Sequence, residues 1–232
     1  RKEVEGLGIT LYFNSKITKI NPITKQVNLE NGNSFNYGFA VNSAGLYADK
    51  IAHQFGVGQK YTLLPFKGIY WKLDPTSGFN LKHLIYPVPD LRIPFLGVHT
   101  TTSVDGVTYL GPTAVPAFGR ENYYGTKGIN VGDFFNITSN LTKQFIANKD
   151  GFRRLSLQEG SRYIKLRFTS AAKKILPRLK MHHLLPSNKV GIRAQMIDTD
   201  TGRMVNDFLV ESDKNSTHII NAEFEPNEDQ AS

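Results

Sequence analysis

A short apolar run, residues 38–42, is followed directly by residues that repeat with the period of a helix. The run has the length of a strand, and residues 43–45 (SAG) are small enough to form a tight corner after it. Large apolar residues then recur every four positions until a glycine ends the pattern: Tyr47, Ile51, Phe55 and Gly56. This change of period predicts a strand, a turn and a helix, the unit with which open sheets build ligand-binding edges. A corner that needs glycine only for packing is the competing interpretation.

Strand patterns lie on both sides of this unit. Before it, residues 9–13, 16–20 and 27–29 predict a small β-meander, and after it, residues 63–73, 84–88, 95–101 and 107–110 predict an antiparallel sheet. A helical block follows, with one helix around residues 134–145 and another from 161 to 176 that ends at Pro177, and strands return over 189–221. The order predicts an α/β (α+β) fold with two interleaved domains, divided as residues 1–60, 61–185 and 186–232.

The composition excludes several classes of protein. The 232 residues are 40% hydrophobic, which is enough to bury a core. The absence of cysteine excludes disulfides, thiolate nucleophiles and cysteine-bound metals, so redox chemistry would need an organic cofactor, and we expect no metal site. No apolar run reaches the ~20 residues that cross a bilayer. We expect an intracellular, cytoplasmic protein whose natural start lies upstream of Arg1.

Positive charge is concentrated in one part of the chain. Residues 143–193 contain thirteen Lys and Arg residues against two acids, Asp150 and Glu159. Such a field attracts anions, whether dicarboxylates, phosphates, nucleic acid or an acidic membrane surface. A solvated helical face is the alternative for most of these residues.

Five segments carry a resemblance to known flavoenzymes. Residues 41–49 (VNSAGLYAD) resemble the second flavin-contacting motif of the glycine-oxidase/D-amino-acid-oxidase class of FAD enzymes. The other four are similar, in order and spacing, to the L-2-hydroxyglutarate oxidase/dehydrogenase family. They are residues 64–68 (LPFKG), 84–90 (LIYPVPD), 94–112 with PFLGVH, and 190–195 (VGIRAQ) followed by Asp207-Phe208. The likeness covers nearly the whole chain.

The resemblance implies a cofactor, a fold and a reaction. The cofactor would be FAD, held by an FAD/NAD(P)-binding domain to which residues 1–60 and 186–232 belong, while residues 61–185 form an antiparallel-sheet substrate domain. The reaction would be oxidation of a 2-hydroxy acid, such as L-2-hydroxyglutarate to 2-oxoglutarate, with electrons passed to oxygen or a membrane quinone. It requires hydride transfer from C2 to flavin N5, a base for the hydroxyl proton, and cations for the carboxylates of a dicarboxylate.

Four residues are candidates for this chemistry. His99 is the candidate base because imidazole titrates near neutral pH, although a hydrogen-bonded core histidine is the alternative. Arg193 is the candidate carboxylate clamp, with an ion pair to Asp198 or Asp207 as the alternative. Lys67 could bind a carboxylate or favour the anionic reduced flavin, and Tyr86 could donate a hydrogen bond; packing or surface roles are the alternatives for both. The residues implied to contact the cofactor are Asn42, Ser43, Ala44, Gly45, Gly191, Ile192 and Asn221.

The chain also departs from the family pattern. It contains no G-x-G-x-x-G turn for the pyrophosphate, and residues 223–229 (EFEPNED) stand where the family has a Ser-Pro turn and a helix. Ile69, Leu91 and Thr113 occupy positions where an acid, Pro and Asn are usual. We therefore expect a truncated or partly diverged flavoprotein.

Two other functions stay open. The basic segment could make the chain a binding module for nucleic acid or an anionic membrane. We find no nucleic-acid motif and expect no nucleic-acid partner, whereas peripheral membrane contact is compatible with an enzyme. The remaining alternative is a catalytically silent remnant that keeps the fold without the cofactor.

Overall fold

The computed structural model describes residues 2–88 and 97–222. Its contacts divide the chain into two units, one of Arg1–Gln59 with Val210–Ile220 and the other of Lys60–Leu209 with Asn221–Ser232. In the described residues the helices are α1 (Lys2–Gly6), α2 (Ala48–Gln54), α3 (Val131–Ala147), α4 (Phe152–Ser161) and α5 (Lys165–Ala172). The strands are β1 (Ile17–Asn21), β2 (Gln26–Leu29), β3 (Ser34–Asn36), β4 (Ala40–Asn42), β5 (Tyr61–Ile69), β6 (Trp71–Leu73), β7 (His99–Thr102), β8 (Thr108–Gly111), β9 (Val115–Pro116), β10 (Leu184–Leu185), β11 (Val190–Asp198), β12 (Arg203–Met204), β13 (Leu209–Ser212) and β14 (Ser216–Asn221).

The first unit contains the predicted meander and the strand-turn-helix unit. Strands β1, β2 and β3 form an antiparallel sheet, and β4 pairs in parallel with β14, where His218 lies opposite Asn42. Helix α2 buries Ala48 and Ala52 and ends before Gly56, whose φ of 79° is accessible at low cost only to glycine. The change of period after residue 42 is thus confirmed as a strand followed by a helix.

The second unit is organised around a long antiparallel ribbon of β5 and β11. Their register is regular from Val190 opposite Ile69 to Asp198 opposite Tyr61, within a four-stranded sheet of order β12-β11-β5-β9. Since side chains alternate between the faces of a strand and directly opposite residues share a face, this register determines which side chains meet. Helices α3 and α4 pack on the face that carries Leu64 and Phe66.

A second core lies beneath the other four-stranded sheet, of order β10-β6-β8-β7. Here Phe168 and Ala172 of α5 pack with Leu110 and Leu184. The sequence predicted a helix from 161 to 176, and the structure has a shorter one there, α5 (Lys165–Ala172), preceded by α4, which was not predicted. Ile164 has extended backbone angles (φ −79°, ψ 121°) between α4 and α5. The break has a packing reason, because α4 buries Phe152 and Leu155 in the first core whereas α5 buries its residues in the second.

Two predicted strands are absent from the described residues. Residues 9–13 are irregular and largely exposed, and residues 84–88 form no strand. Ile85 nevertheless exchanges hydrogen bonds with Thr100, accepting from its backbone N–H (3.0 Å) and donating to its hydroxyl oxygen (2.7 Å). These two hydrogen bonds hold Ile85 beside β7, although residues 84–88 form no strand.

Candidate active site

The β5–β11 ribbon presents different chemistry on its two faces. Phe66 and Gly68 of β5 share a face with Arg193 and Gly191 of β11, while Lys67 shares the opposite face with Ile192. The first face borders a cavity of about 270 Å³, whose reactive side chains are those of Tyr70, His99, Glu159 and Arg193. The structure therefore brings together His99 and Arg193, which the sequence predicted separately.

His99 lies at the start of β7 and is partly buried. Its Nδ1 is 3.1 Å from the carbonyl oxygen of Gly97, and since a carbonyl only accepts, Nδ1 carries the proton and Nε2 keeps its lone pair. Burial lowers the pKa of His99, with a smaller contribution in the same direction from the charge of Lys189. The ring also stacks on Tyr86 with centroids 4.5 Å apart. His99 is thus a neutral imidazole with a basic nitrogen at neutral pH.

Arg193 lies on β11 and lines the cavity. Asp198, one of its two predicted alternative partners, is five residues further along the regular ribbon and faces the other side. Asp198 instead lies 3.5 Å from the Nζ of Lys60 and accepts the backbone N–H of Thr201. The carboxylate of Asp198 therefore has Lys60 as its cationic partner.

Glu159 is a cavity residue that the sequence reasoning missed. The side chain is buried, its Oε2 accepts the backbone N–H of Ala114 (3.2 Å), and its Oε1 pairs with Arg162. Burial raises the pKa of Glu159, while Arg162 acts in the opposite direction. An isolated acid three residues before an arginine, in a helix otherwise rich in cations, was the signal that could have identified it.

Tyr70 was missed as well. It follows β5 directly and continues the alternation of Phe66 and Gly68 on the cavity face. Burial raises the pKa of its hydroxyl, and proximity to Tyr86 adds to the effect. A side chain at Gly111 would meet the Tyr70 ring at 2.6 Å, so glycine at that position lets the ring pack against the β8 strand.

Lys67 is not among the side chains that line this cavity. It borders a second cavity of about 600 Å³, together with Asn122 and Lys189. Its Nζ donates to the Oδ1 of Asn122 (3.2 Å), and burial lowers its pKa. Asn122 in turn donates to the carbonyl oxygens of Gly125 (2.7 Å) and Lys127 (2.9 Å), so it closes the loop that holds Lys67.

The predicted cofactor contacts divide into exposed and buried groups. Ser43, Ala44 and Gly45 are exposed in the first unit, and no atom lies within 4 Å of a Cβ built at Gly45. This open backbone leaves room for a planar ring or a ribityl chain, so the corner fits the FAD that the family motif implies. Gly191 and Ile192 line the cavity of the second unit.

Asn42 and Asn221 are buried, and their side chains form hydrogen bonds with backbone atoms. Asn42 donates from Nδ2 to the carbonyl oxygen of Ala48 (2.8 Å) and accepts the N–H of Ala44 (3.2 Å), which shapes the corner. Asn221 donates to the carbonyl oxygen of Asp207 (2.7 Å). Predicted features at Leu91, in the segments 84–90 and 94–112, and in the acidic tail 223–229 fall wholly or partly outside the described residues.

The mixed sheets form an α/β fold with a cavity that contains several polar side chains, and comparison with known proteins gives the family. The model of the DAO family, described as FAD dependent oxidoreductase, matches residues 1–223. The chain belongs to this family of FAD-dependent oxidoreductases, which confirms the resemblance seen in the sequence.

Named relatives are L-2-hydroxyglutarate dehydrogenases. The protein of Indibacter alkaliphilus is 34% identical over 222 residues, covering 93% of this chain and 54% of the relative. The Escherichia coli K12 protein is 30% identical over 231 residues (95% and 52%), and the mitochondrial mouse protein is 37% identical over 179 residues (74% and 36%). The chain thus spans about half the length of the bacterial relatives, and less of the mouse protein.

Solved structures share the fold. L-α-glycerophosphate oxidase from Mycoplasma pneumoniae, with FAD bound, has a TM-score of 0.54 and 19% identity over 89% of this chain and 44% of its own. Glycerol-3-phosphate dehydrogenase from Bacillus halodurans, complexed with FAD, has a TM-score of 0.53 and 16% identity over 96% and 37%. These similarities confirm the predicted α/β fold class. Among the described residues, no helix has both the length and the apolarity needed to cross a membrane.

Proposed function

We propose that the protein containing this chain is an FAD-dependent dehydrogenase or oxidase that converts L-2-hydroxyglutarate to 2-oxoglutarate. The observation that carries the proposal is the shared cavity of His99 and Arg193, which supplies a proton acceptor and a carboxylate-binding cation together. Its volume of about 270 Å³ lies just below the ~300–1,000 Å³ of pockets for drug-sized ligands, so it suits a small organic acid.

The roles of the residues follow from their geometry. Arg193 would bind the carboxylate next to the reacting carbon through two parallel N–H···O bonds. His99 would accept the proton of the substrate hydroxyl at Nε2, while its Nδ1–H remains bonded to Gly97 and fixes the ring. Phe66 and Pro112 would exclude water from the reacting atoms. Bound FAD would supply the acceptor for the hydride on C2.

The cofactor contacts proposed in the first unit are the exposed backbone of Ser43, Ala44 and Gly45. Because the chain contains no G-x-G-x-x-G sequence, these residues would supply only part of the cofactor site. Lys67 keeps its proposed role of stabilising negative charge, and burial lowers the pKa of its ammonium group. Tyr86 would orient His99 through the ring stack.

The test is flavin reduction in the full-length protein without oxygen. Adding L-2-hydroxyglutarate should bleach the flavin absorbance, and His99→Gln should slow the bleaching by about 10²–10⁴-fold while the bound flavin is retained. His182→Gln, on an exposed histidine, is the matched control and should bleach at the wild-type rate. A colourless protein, or a flavin that L-2-hydroxyglutarate does not reduce, would exclude the proposed reaction and favour a silent remnant.

We also propose a peripheral contact with an anionic membrane, where a quinone could accept the electrons. The acidic residue between Arg153 and Lys180 is Glu159, and its side chain is buried. The exposed charged side chains of this segment are therefore positive. Exposed apolar side chains lie among them, namely Leu157, Tyr163, Ile164 and Leu166. Cations beside exposed apolar residues are typical of surfaces that bind anionic lipid.

Co-sedimentation with lipid vesicles tests this contact. The protein should bind vesicles that contain phosphatidylglycerol, should leave phosphatidylcholine vesicles in the supernatant, and should bind less when Ile164→Ser and Leu166→Ser are combined. Val104→Ser, on an exposed turn outside the basic segment, is the control. Equal binding to both kinds of vesicle, or none, would leave oxygen as the proposed electron acceptor.

A further inference from the structure

A second cation lies beside the cavity and has no place in the mechanism above. Lys189 precedes β11, and its Nζ lies over the rings of Tyr70 (5.0 Å) and Tyr109 (4.6 Å). Tyr70 lines the cavity of His99 and Arg193, so its ring holds the ammonium group beside that cavity, and Lys189 is itself among the residues that line the second cavity. In the part of the chain that the structure describes, these two rings hold the ammonium and no carboxylate pairs with it.

The ribbon places this cation on the same face as Arg193. The ladder of β5 and β11 ends with Val190 opposite Ile69, and the residues just beyond it, Lys189 and Tyr70, are in contact through the ammonium group and the ring. Alternation then aligns positions 189, 191 and 193 on the cavity face. Gly191 stands between the two cations, and a Cβ built there meets no atom within 4 Å. An open gap therefore separates Lys189 from Arg193.

The charges around the cavity determine where a second carboxylate is stabilised. Glu159 lies elsewhere in the wall and would repel a second carboxylate if ionised, whereas His99 is neutral at neutral pH. Lys189 contributes positive potential at the cavity, since its charge acts on His99. A dianion with one carboxylate on Arg193 is therefore stabilised when its other carboxylate lies toward Tyr70 and Lys189.

We propose that Lys189, clamped between Tyr70 and Tyr109, binds the second carboxylate of the substrate and makes the site selective for dicarboxylic 2-hydroxy acids. This inference rests on the proposed function and adds the residue that distinguishes a diacid from a monoacid. Lys189 takes no part in the chemical step, so its loss affects substrate binding and leaves proton transfer at His99 in place.

The test compares two substrates in the full-length protein. Lys189→Met should raise KM for L-2-hydroxyglutarate by about 10- to 100-fold, the effect of losing one charged hydrogen bond, with little change in kcat. KM for L-2-hydroxybutyrate, which lacks the second carboxylate, should stay the same, and Lys189→Arg should restore much of the preference. Lys165→Met is the matched control, because Lys165 makes the same kind of contact with Trp71 (5.1 Å) away from the cavity.

Binding measured without turnover separates this inference from the reaction. By calorimetry, glutarate should bind the wild-type protein more tightly than butyrate, and Lys189→Met should remove the difference. If the wild type turns over L-2-hydroxyglutarate but Lys189→Met behaves like it, the inference is wrong and the proposed function stands. If glutarate binds through Lys189 without turnover, the subsite stands and the reaction is wrong. The inference is also wrong if the wild-type protein neither binds glutarate nor turns over L-2-hydroxyglutarate. It is wrong as well if Lys189→Met weakens the binding of glutarate and butyrate equally.

Discussion

Two glycines that face each other across the ribbon differ sharply in the space around them. Gly68 and Gly191 are directly paired, and neither has a positive φ, so alanine is compatible with the backbone at both. A Cβ at Gly68 would lie 2.7 Å from the Cβ of Pro112 and 3.4 Å from the carbonyl oxygen of Thr113, whereas a Cβ at Gly191 meets nothing within 4 Å. Gly68→Ala must therefore displace the cavity wall, and Gly191→Ala need not.

The expected change in Tm for Gly68→Ala follows from the cost of overpacking. Forcing one extra methyl group into a packed site costs about 1–3 kcal/mol, which for a chain of this length lowers Tm by about 2–12 °C. Gly191→Ala should keep or slightly raise Tm, because alanine is favoured over glycine within a strand by about 0.5–1 kcal/mol. The methyl group would nevertheless stand in the gap between Lys189 and Arg193, so dicarboxylate affinity should fall although stability does not.

Thermal unfolding followed by circular dichroism, together with calorimetric titration of glutarate, measures both effects on the same pair of variants. Equal Tm values for the two variants would show that Pro112 and Thr113 yield freely, which contradicts the close packing of Gly68. Unchanged glutarate affinity in Gly191→Ala would show that the anion does not occupy the face on which Arg193 lies.

Three further outcomes are expected. The pKa of the His99 imidazole should lie below the ordinary ~6.5. The stability that the neutral imidazole contributes is therefore fully present above pH ~6.5 and is lost as pH falls through the lowered pKa. Histidine NMR measures the pKa, and a pKa above ~6.5 would contradict the prediction. Because burial raises the pKa of Glu159, wild-type stability should fall, relative to Glu159→Gln, as pH rises from about 4.5 through the raised pKa, measured by urea unfolding at pH 5 and 7.5. Asn42→Ala should destabilise the first unit by about 2–4 kcal/mol through its lost buried hydrogen bonds, whereas exposed Ser43→Ala should have little effect in the same assay.

Local patterns predicted much of the fold. The strand, corner and helix around residues 38–56 follow from a change of period and from a glycine with positive φ, both of which depend on neighbouring residues alone. The helix predicted over residues 161–176 is shorter in the structure (Lys165–Ala172), and the helix before it, α4, packs in a different core. Which core a helix face joins is decided by residues far away in the sequence.

The candidate site depends on the register of β5 and β11, which could not be predicted from the sequence. Lys67 and Arg193 look equally suited to bind an anion, yet the pairing of β5 with β11 places them on opposite faces. Glu159 reads as one acid in a basic segment, and its burial against Ala114 requires a contact between residues 45 positions apart. Residue type therefore predicted His99 and Arg193, and tertiary structure added Tyr70, Glu159 and Lys189.

We propose that the cavity of His99 and Arg193 binds the substrate dicarboxylate. Histidine NMR of the full-length protein during titration with 2-oxoglutarate tests it most directly. We expect a saturable shift of the His99 imidazole signal, no shift of exposed His182, and loss of the response in Arg193→Met. Tight binding of 2-oxoglutarate that leaves the His99 signal unchanged would contradict it.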